Sequence, residues 1–454
     1  MSYVGYDTEK KMLNILKKQS PVRIIAFGFF AVIILGALLL KMPFSLRDGV
    51  ELSYIDALYT ATSAVCVTGL IAVDVGVTFT PIGQTIVALL IQVGGLGVTT
   101  IGAGVMLAVG KKMNLKGRNI IREASNLDSG KGIIRFIRNV FLTTVIIEGI
   151  GALFSFVVFA QDMPFWTAVG VSLFHSVAAF NNSGFDILGG IVLEDGTAFA
   201  PFGSLIPYQN NVLLNLTTCA LVILGGIGFL VIREVLKTRF HWKKFSMHTK
   251  VVLSTSAVLL IAGTLLFKLS ENVSWLGAFF FSVSARTAGF STYPLSTFSV
   301  AGLLVLVVLM FIGASPGSTG GGIKTTSLFA ILQGIKSAAT NKSEKAFKFA
   351  MPKDAFRKAA VIVILGLFVV ATGTYLVSLF EPELQLVDIL VEITSAYGTV
   401  GLSTGISPDL CLESKLISIV IMYIGRLGPL TVASLWYFSR GDRFRYPEGN
   451  IAIG

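Results

Sequence analysis

Four short segments of the 454-residue chain end alike: SAVCVTGL at 63–70, AFNNSGFD at 179–186, SARTAGFS at 284–291 and SAYGTVGLST at 395–404. Their final glycines, Gly69, Gly184, Gly289 and Gly401, are 115, 105 and 112 residues apart. The residues before each glycine are small or polar: Val67 and Thr68, Asn182 and Ser183, Thr287 and Ala288, Thr399 and Val400. Such a segment can run extended with its carbonyls aimed at a common axis, the glycine freeing φ where the chain turns to leave. Four copies around one axis give a ring of oxygens able to replace the hydration shell of an alkali cation. No ring of carboxylates occupies the tips, which argues against a calcium-type filter.

A second chemical feature is GASPGSTGGGIKTTS at 313–327, which interrupts a strongly apolar stretch. Gly313, Gly317, Gly320, Gly321 and Gly322 weaken a helix here, and Pro316 removes a backbone donor, so Gly313 to Gly322, with Ala314, Ser315, Ser318 and Thr319 between them, predicts unwound chain. About half a span below the third glycine loop, it must be enclosed by protein or line water. The expectation is a gate lying across the conduction path. Lys324 follows the glycines and Arg426 sits mid-span in IVIMYIGRLGPLTVASLWYF, both costly in hydrocarbon without a wet cavity or partner. Arg426 is expected to hydrogen-bond loop carbonyls in the closed state. Arg286 is expected to brace the third loop from behind. Glu392 is expected to accept bonds from filter backbone or from Arg286, and Asn181 and Asn182 to brace the second loop or line its mouth.

These features need apolar elements to carry them. Runs long enough to cross a core of about 30 Å lie near 24–40, 82–109, 139–160, 211–232, 250–267, 297–334 (interrupted), 359–380 and 415–438. Between successive pairs lie shorter apolar pieces at 54–67, 166–180, 273–285 and 386–397. Of 36 Lys and Arg, 29 fall in the amino-terminal tail, in 111–138, in 233–250, in 336–358 and after 439. These share one side only if every intervening block crosses an even number of times, so the short pieces must be re-entrant. By the positive-inside rule that side, with both termini, is cytoplasmic. The expected fold is an all-α polytopic membrane protein: four parallel repeats of helix, re-entrant pore helix and helix around a pseudo-fourfold central pore. The repeats are assigned to 1–110, 111–232, 233–335 and 336–454.

Composition excludes other classes. Only 13% of residues are charged and 54% are apolar, against roughly a quarter charged in soluble domains. The net charge of +11 follows topology rather than one patch, so no nucleic-acid partner is expected. Cys66, Cys219 and Cys411 are too few and scattered for a disulfide framework, and His175, His241 and His248 lack ligand spacing. GGLGVTTIGAG at 94–104 lies inside an apolar run and follows no strand, so it reads as close helix packing and not as a nucleotide loop. No catalytic residue is expected, and the chain is not read as an enzyme.

The four glycine-ended loops, the broken sixth long span and the arginine in the last one together resemble the Trk/Ktr/HKT superfamily of potassium transporters, over nearly the whole chain. A start directly at the first repeat and an end at YPEGNIAIG look most like the membrane subunit of bacterial Ktr systems. The resemblance implies potassium uptake across the bacterial plasma membrane, with K+ at the filter carbonyls and Gly69 marking potassium preference. It implies a gate at 313–324 with Arg426 as an electrostatic barrier, and a homodimer with one pore per subunit. It also implies a cytosolic RCK-type ring that carries the nucleotide, so that this chain holds no covalently bound cofactor. The basic loops would meet that ring or membrane lipids. Sodium dependence of uptake stays open. The alternative is a secondary active cation-coupled transporter with a midplane site, which predicts inverted repeats; a transport-inactive anchor would not need four intact loops.

Overall fold

The computed structural model describes residues 21–108, 132–193, 196 and 198–435. The amino-terminal tail with Lys10, Lys11, Lys17 and Lys18, the basic stretch from Lys111 to Lys131 and the tail with Arg440, Arg443 and Arg445 lie outside them.

Each repeat opens on a long apolar helix: α1 (Pro21–Leu40), α5 (Ile133–Phe159), α9 (Met247–Ser270) and α13 (Ala355–Phe380). At 20 to 27 residues, these four are long and apolar enough to cross a membrane. Each is followed by a shorter helix, α2 (Tyr54–Cys66), α6 (Phe165–Phe180), α10 (Trp275–Ser284) and α14 (Leu386–Gly398), which packs against it. Ser53 and Ser274 cap two of these, accepting from the amides of Asp56 and Gly277. All four end at the glycine loops, and their last turns are buried.

The third element of each repeat is not the continuous span expected for 82–109, 211–232 and 415–438. It is two helices: α3 (Pro81–Leu96) and α4 (Val98–Ala108); α7 (Val212–Ile227) and α8 (Phe229–Thr238); α11 (Val300–Phe311) and α12 (Thr325–Thr340); α15 (Leu412–Leu427) and α16 (Pro429–Ser434). Three breaks are single glycines, Gly97, Gly228 and Gly428, at φ +85°, +92° and +88°. A side chain there would strain the backbone, and φ of that sign cannot continue a right-handed helix. The second break bends the chain by 99°. Only the third is a loop, 312–324. A small hairpin, Lys345–Ala346 with Phe349–Ala350, is the only pair of strands among the described residues, beside isolated bridges between Leu46 and Phe79 and between Val192 and Ala198.

Packing runs in one cyclic sense. The first half of each third element meets the short helix of the next repeat: α3 on α6, α7 on α10, α11 on α14, and α15 back on α2. The ring therefore closes between last and first repeats. An ion pair marks that seam, Lys415 Nζ to Asp56 Oδ1 at 2.8 Å, with side chains only 10% and 19% exposed. Breaking a buried pair leaves an uncompensated charge. Lys415→Met is expected to cost about 3 kcal/mol, read as a lower thermal midpoint in detergent; an unchanged midpoint would mean the seam is held by apolar packing alone.

Candidate ion pathway

The glycine loops are held to their pore helices by repeated bonds. The amides of Thr68, Ser183 and Val400 donate to the carbonyls of Ser63, Ala178 and Ser395, five residues back, at 2.8 to 2.9 Å. Ala288 donates to Ser284, four back, at 2.8 Å. Ser63 and Ser395 also accept from the amides of Gly69 and Gly401. The residues two before each glycine, Val67, Asn182, Thr287 and Thr399, carry positive φ of 58°, 58°, 118° and 49°. Non-glycine residues rarely adopt this region, and such strain persists only where surroundings enforce it.

The glycines face one another. A methyl group built on Gly69 would meet the Ser183 carbonyl, on Gly184 that of Ala288, on Gly289 that of Val400 and on Gly401 that of Thr68, each within 2.7 Å. The order closes on itself, so each glycine is the space its neighbour's carbonyl occupies. All four also line one cavity of about 320 Å³, together with Asp186 and Asp409.

Behind the ring, the second and third loops are joined side chain to side chain. Thr287 Oγ1 lies 2.8 Å from the Asn182 amide; with the amide oxygen accepting that bond, its nitrogen donates to the Val222 and Ala179 carbonyls at 3.2 Å. Asn181 points outward instead, its Nδ2 donating to Gln92 Oε1 at 2.8 Å and Glu148 Oε1 at 3.0 Å. Arg286 reaches back to Ser256, on the carbonyl and hydroxyl at 3.4 and 3.2 Å. Glu392 differs from expectation: it accepts from Ser403 at 2.6 Å and from Ser407, both just beyond its own repeat's glycine, and not from Arg286.

The loop 313–324 lies directly beneath the ring. Gly321 donates its amide to Thr399 Oγ1 at 3.1 Å, and Thr319 Oγ1 donates to the Phe180 carbonyl at 3.2 Å. Gly320 and Gly321 approach Thr287 and Thr399 so closely that a methyl group on either would collide. Ser315 and Thr319 donate amides to the carbonyls of Gly226 and Gly225 at 3.0 and 3.2 Å, and the Gly317 carbonyl accepts from Phe229 at 3.1 Å. These fix the loop to the second repeat. Gly313 packs against Gly321 and Gly322, and Ser315 and Thr325 share a hydroxyl bond of 2.9 Å. Lys324 Nζ donates to the Gly320 and Gly321 carbonyls at 2.8 and 3.3 Å. Arg426 donates to the carbonyls of Thr319 and Gly94, with Gly95 at 3.3 Å. It thus spans from the fourth repeat to both the loop and the first repeat.

Aligning the breaks exposes a signal that reading the spans one by one misses. GGLG at 94–97, GGIG at 225–228 and GRLG at 425–428 end at the broken-helix glycines, and the first glycine of each packs on the carbonyl four residues before a filter glycine: Val65, Phe180 and Tyr397. Arg426 stands where the other two copies have Gly95 and Gly226.

The chain is similar to known proteins over nearly its whole length. The TrkH family, described as cation transport protein, matches residues 24–256 and 250–438. The potassium/sodium uptake protein NtpJ of Enterococcus hirae is 38% identical over 97% of this chain and 99% of its own. The Ktr system potassium uptake protein B of Bacillus subtilis is 36% identical over 96% and 97%, and its namesake from Vibrio alginolyticus 34% identical over 96% of each. In fold, the chain is similar to the crystal structure of the potassium transporter TrkH from Vibrio parahaemolyticus, with a TM-score of 0.69 and 17% identity over 92% of this chain and 86% of that one.

Proposed function

The chain belongs to the TrkH family of cation transport proteins, and on that premise we propose that it takes up potassium across the plasma membrane through the ring of Gly69, Gly184, Gly289 and Gly401. The observation that carries this reading is the cyclic approach of each glycine to the next repeat's carbonyl. Backbone oxygens so arranged suit a dehydrated K+, which needs a cage of neutral dipoles rather than a charged pocket. The residues that contribute them are Val67, Thr68, Asn182, Ser183, Thr287, Ala288, Thr399 and Val400 with the glycines. Four repeats, bounded near 110, 232 and 335, supply one loop each. Asp186 and Asp409 in the outer cavity raise the local cation concentration.

The loop 313–324, locked by Lys324 and Arg426, is the closed gate. Two cations directly under the ring repel a descending ion, and the bonds of Lys324 and Arg426 to the loop carbonyls can be exchanged for water. Relatives named as parts of a Ktr system support a partner subunit; the reading adds a homodimer in the membrane, both termini on the cytoplasmic side by the positive-inside rule, and a cytosolic ring that holds the nucleotide.

The test is ion flux in liposomes containing the purified chain. Potassium moves down its electrochemical gradient with no sodium or proton gradient supplied, and faster than sodium. Potassium accumulation that requires a second ion's gradient would overturn the pore reading in favour of a coupled carrier.

A further inference from the structure

The helix that leaves the gating loop, α12, ends on the cytoplasmic side in a basic pocket that lies apart from the glycine ring and its loop. The pocket has a volume of about 460 Å³ and lies between the last two turns of α12 and the β-hairpin that follows. Lys336, Lys342, Lys345 and Lys348 all line it. None of the four forms an ion pair among the described residues, where the recorded pairs are Lys358 with Asp354 and Lys415 with Asp56. Topology accounts for lysines on this side of the membrane, but it scatters them; it does not require four to converge on one concavity.

The scaffold around them is built. Phe329 on α12 stacks on Phe347 of the hairpin at 6.5 Å between centroids and 10° between planes, and Trp242 meets Phe347 edge-on at 6.1 Å. The turn from α12 is closed by Ser337, whose hydroxyl donates to the Lys342 carbonyl and whose carbonyl accepts the Lys342 amide. Phe347 and Lys348, the hairpin's two central residues, have φ of +47° and +73°. That turn favours glycine or asparagine, so an aromatic and a lysine are held there against local preference. All four lysines are exposed, so their ammonium groups are open to an anion arriving from solvent or from the membrane surface.

We propose that this pocket binds a phosphate-bearing anion, and that the bound anion pins the cytoplasmic end of α12 to the hairpin in the arrangement that accompanies the closed loop. Ammonium groups are point-charge donors suited to phosphate oxygens, and a sixteen-residue helix of about 24 Å carries the pocket from mid-membrane to headgroup depth. Basic pockets at that depth receive anionic lipid headgroups, and a free phosphate ester offers the same chemistry. The lysines tether one end of α12; the other end begins at Lys324, which holds Gly320 and Gly321.

The test uses the full chain, purified and delipidated in detergent. Dioleoylphosphatidylglycerol, dioleoylphosphatidylcholine and glycerol 1-phosphate are titrated separately, with the thermal midpoint and intrinsic tryptophan fluorescence as readouts, since Trp242 touches the hairpin. Phosphatidylglycerol raises the midpoint by about 3 °C or more, and phosphatidylcholine does not. The triple substitution K336Q/K345Q/K348Q loses the rise, and the matching triple arginine variant, which keeps the charge, retains it. A rise with glycerol 1-phosphate as well assigns the site to soluble esters; a rise with the lipid alone assigns it to the membrane. Equal responses to both lipids with none to the ester, or a rise undiminished in the glutamine variant, overturns the proposal. So does a silent wild type whose glutamine variant loses a cytosolic protein partner, because the lysines would then be a protein-docking face. The pinning clause rests on the transport reading and has its own arm: potassium flux falls at least twofold in phosphatidylglycerol vesicles relative to phosphatidylcholine, and the glutamine variant abolishes the difference. A midpoint shift without that difference overturns the pinning alone, whereas absence of flux in every vesicle speaks against the transport reading.

Discussion

Gly69→Ser lowers potassium flux and raises the sodium-to-potassium flux ratio by roughly tenfold or more, the equivalent of about 1.4 kcal/mol. The reason is positional. A side chain on Gly69 would begin almost on the Ser183 carbonyl, at a residue whose φ of +91° already disfavours any Cβ. The neighbour is backbone, so it cannot rotate away as a flexible side chain would. Either the first loop withdraws or the second is displaced, and an oxygen ring set for a larger ion loses part of its cage. A smaller cation that retains its water tolerates the wider, wetter opening better. The hydroxyl also adds an oxygen of its own at that quadrant. Proteoliposomes with matched potassium and sodium gradients give the ratio directly. An unchanged ratio, with normal folding, would show that the first loop does not contribute to selection.

Arg426→Gln raises potassium flux at least tenfold in the absence of any cytosolic partner. Arg426 joins the Thr319 carbonyl of the loop to Gly94 of the first repeat, while Lys324 serves only carbonyls of the loop itself. Removing the guanidinium therefore frees the loop from one wall of the pathway and takes away one of the two positive charges beneath the ring. Hydrogen bonds to charged groups contribute about 1.5–3 kcal/mol each, enough to shift a closed-to-open equilibrium by one to two orders of magnitude. Glutamine keeps much of the bulk, so a cavity effect is not the cause of the change. Deleting 317–322 should raise flux further while leaving the glycine ring intact. Flux that stays at the wild-type level in both variants would mean the loop is a passive linker. A fall in both would mean that it shapes the conducting path.

The sequence foreshadows some of these features better than others, for physical reasons. Four glycine-ended segments at near-equal spacing and a glycine-rich interruption are local events, legible because glycine and proline act on their own backbone. The interruption at 312–324 and the four short pore helices lie where those residues place them. The breaks at Gly97, Gly228 and Gly428 were not legible span by span, because a glycine inside an apolar run is equally compatible with close helix packing. Whether it adopts positive φ depends on what the far half of the helix meets. Comparing GGLG, GGIG and GRLG across repeats would have exposed them. The partners of Glu392 are hidden for another reason. Its carboxylate could reach the third repeat's Arg286 or the serines of its own loop, and only the fold shows that Ser403 and Ser407 fold back onto it while Arg286 turns to Ser256.

The substitution of arginine for glycine in one of three otherwise matching GGxG copies has a mechanical consequence. A ring of four equal parts can open only by all four retreating together, which would loosen the oxygens that discriminate between ions each time the path is switched. On the transport reading proposed above, the bolt enters from one quadrant and is caught by a catch in the next, so the path would be shut or cleared while the ring above keeps its diameter. The threonines at 287 and 399, which touch both ring and bolt, are the two points at which turning the lock can still be felt by the ion.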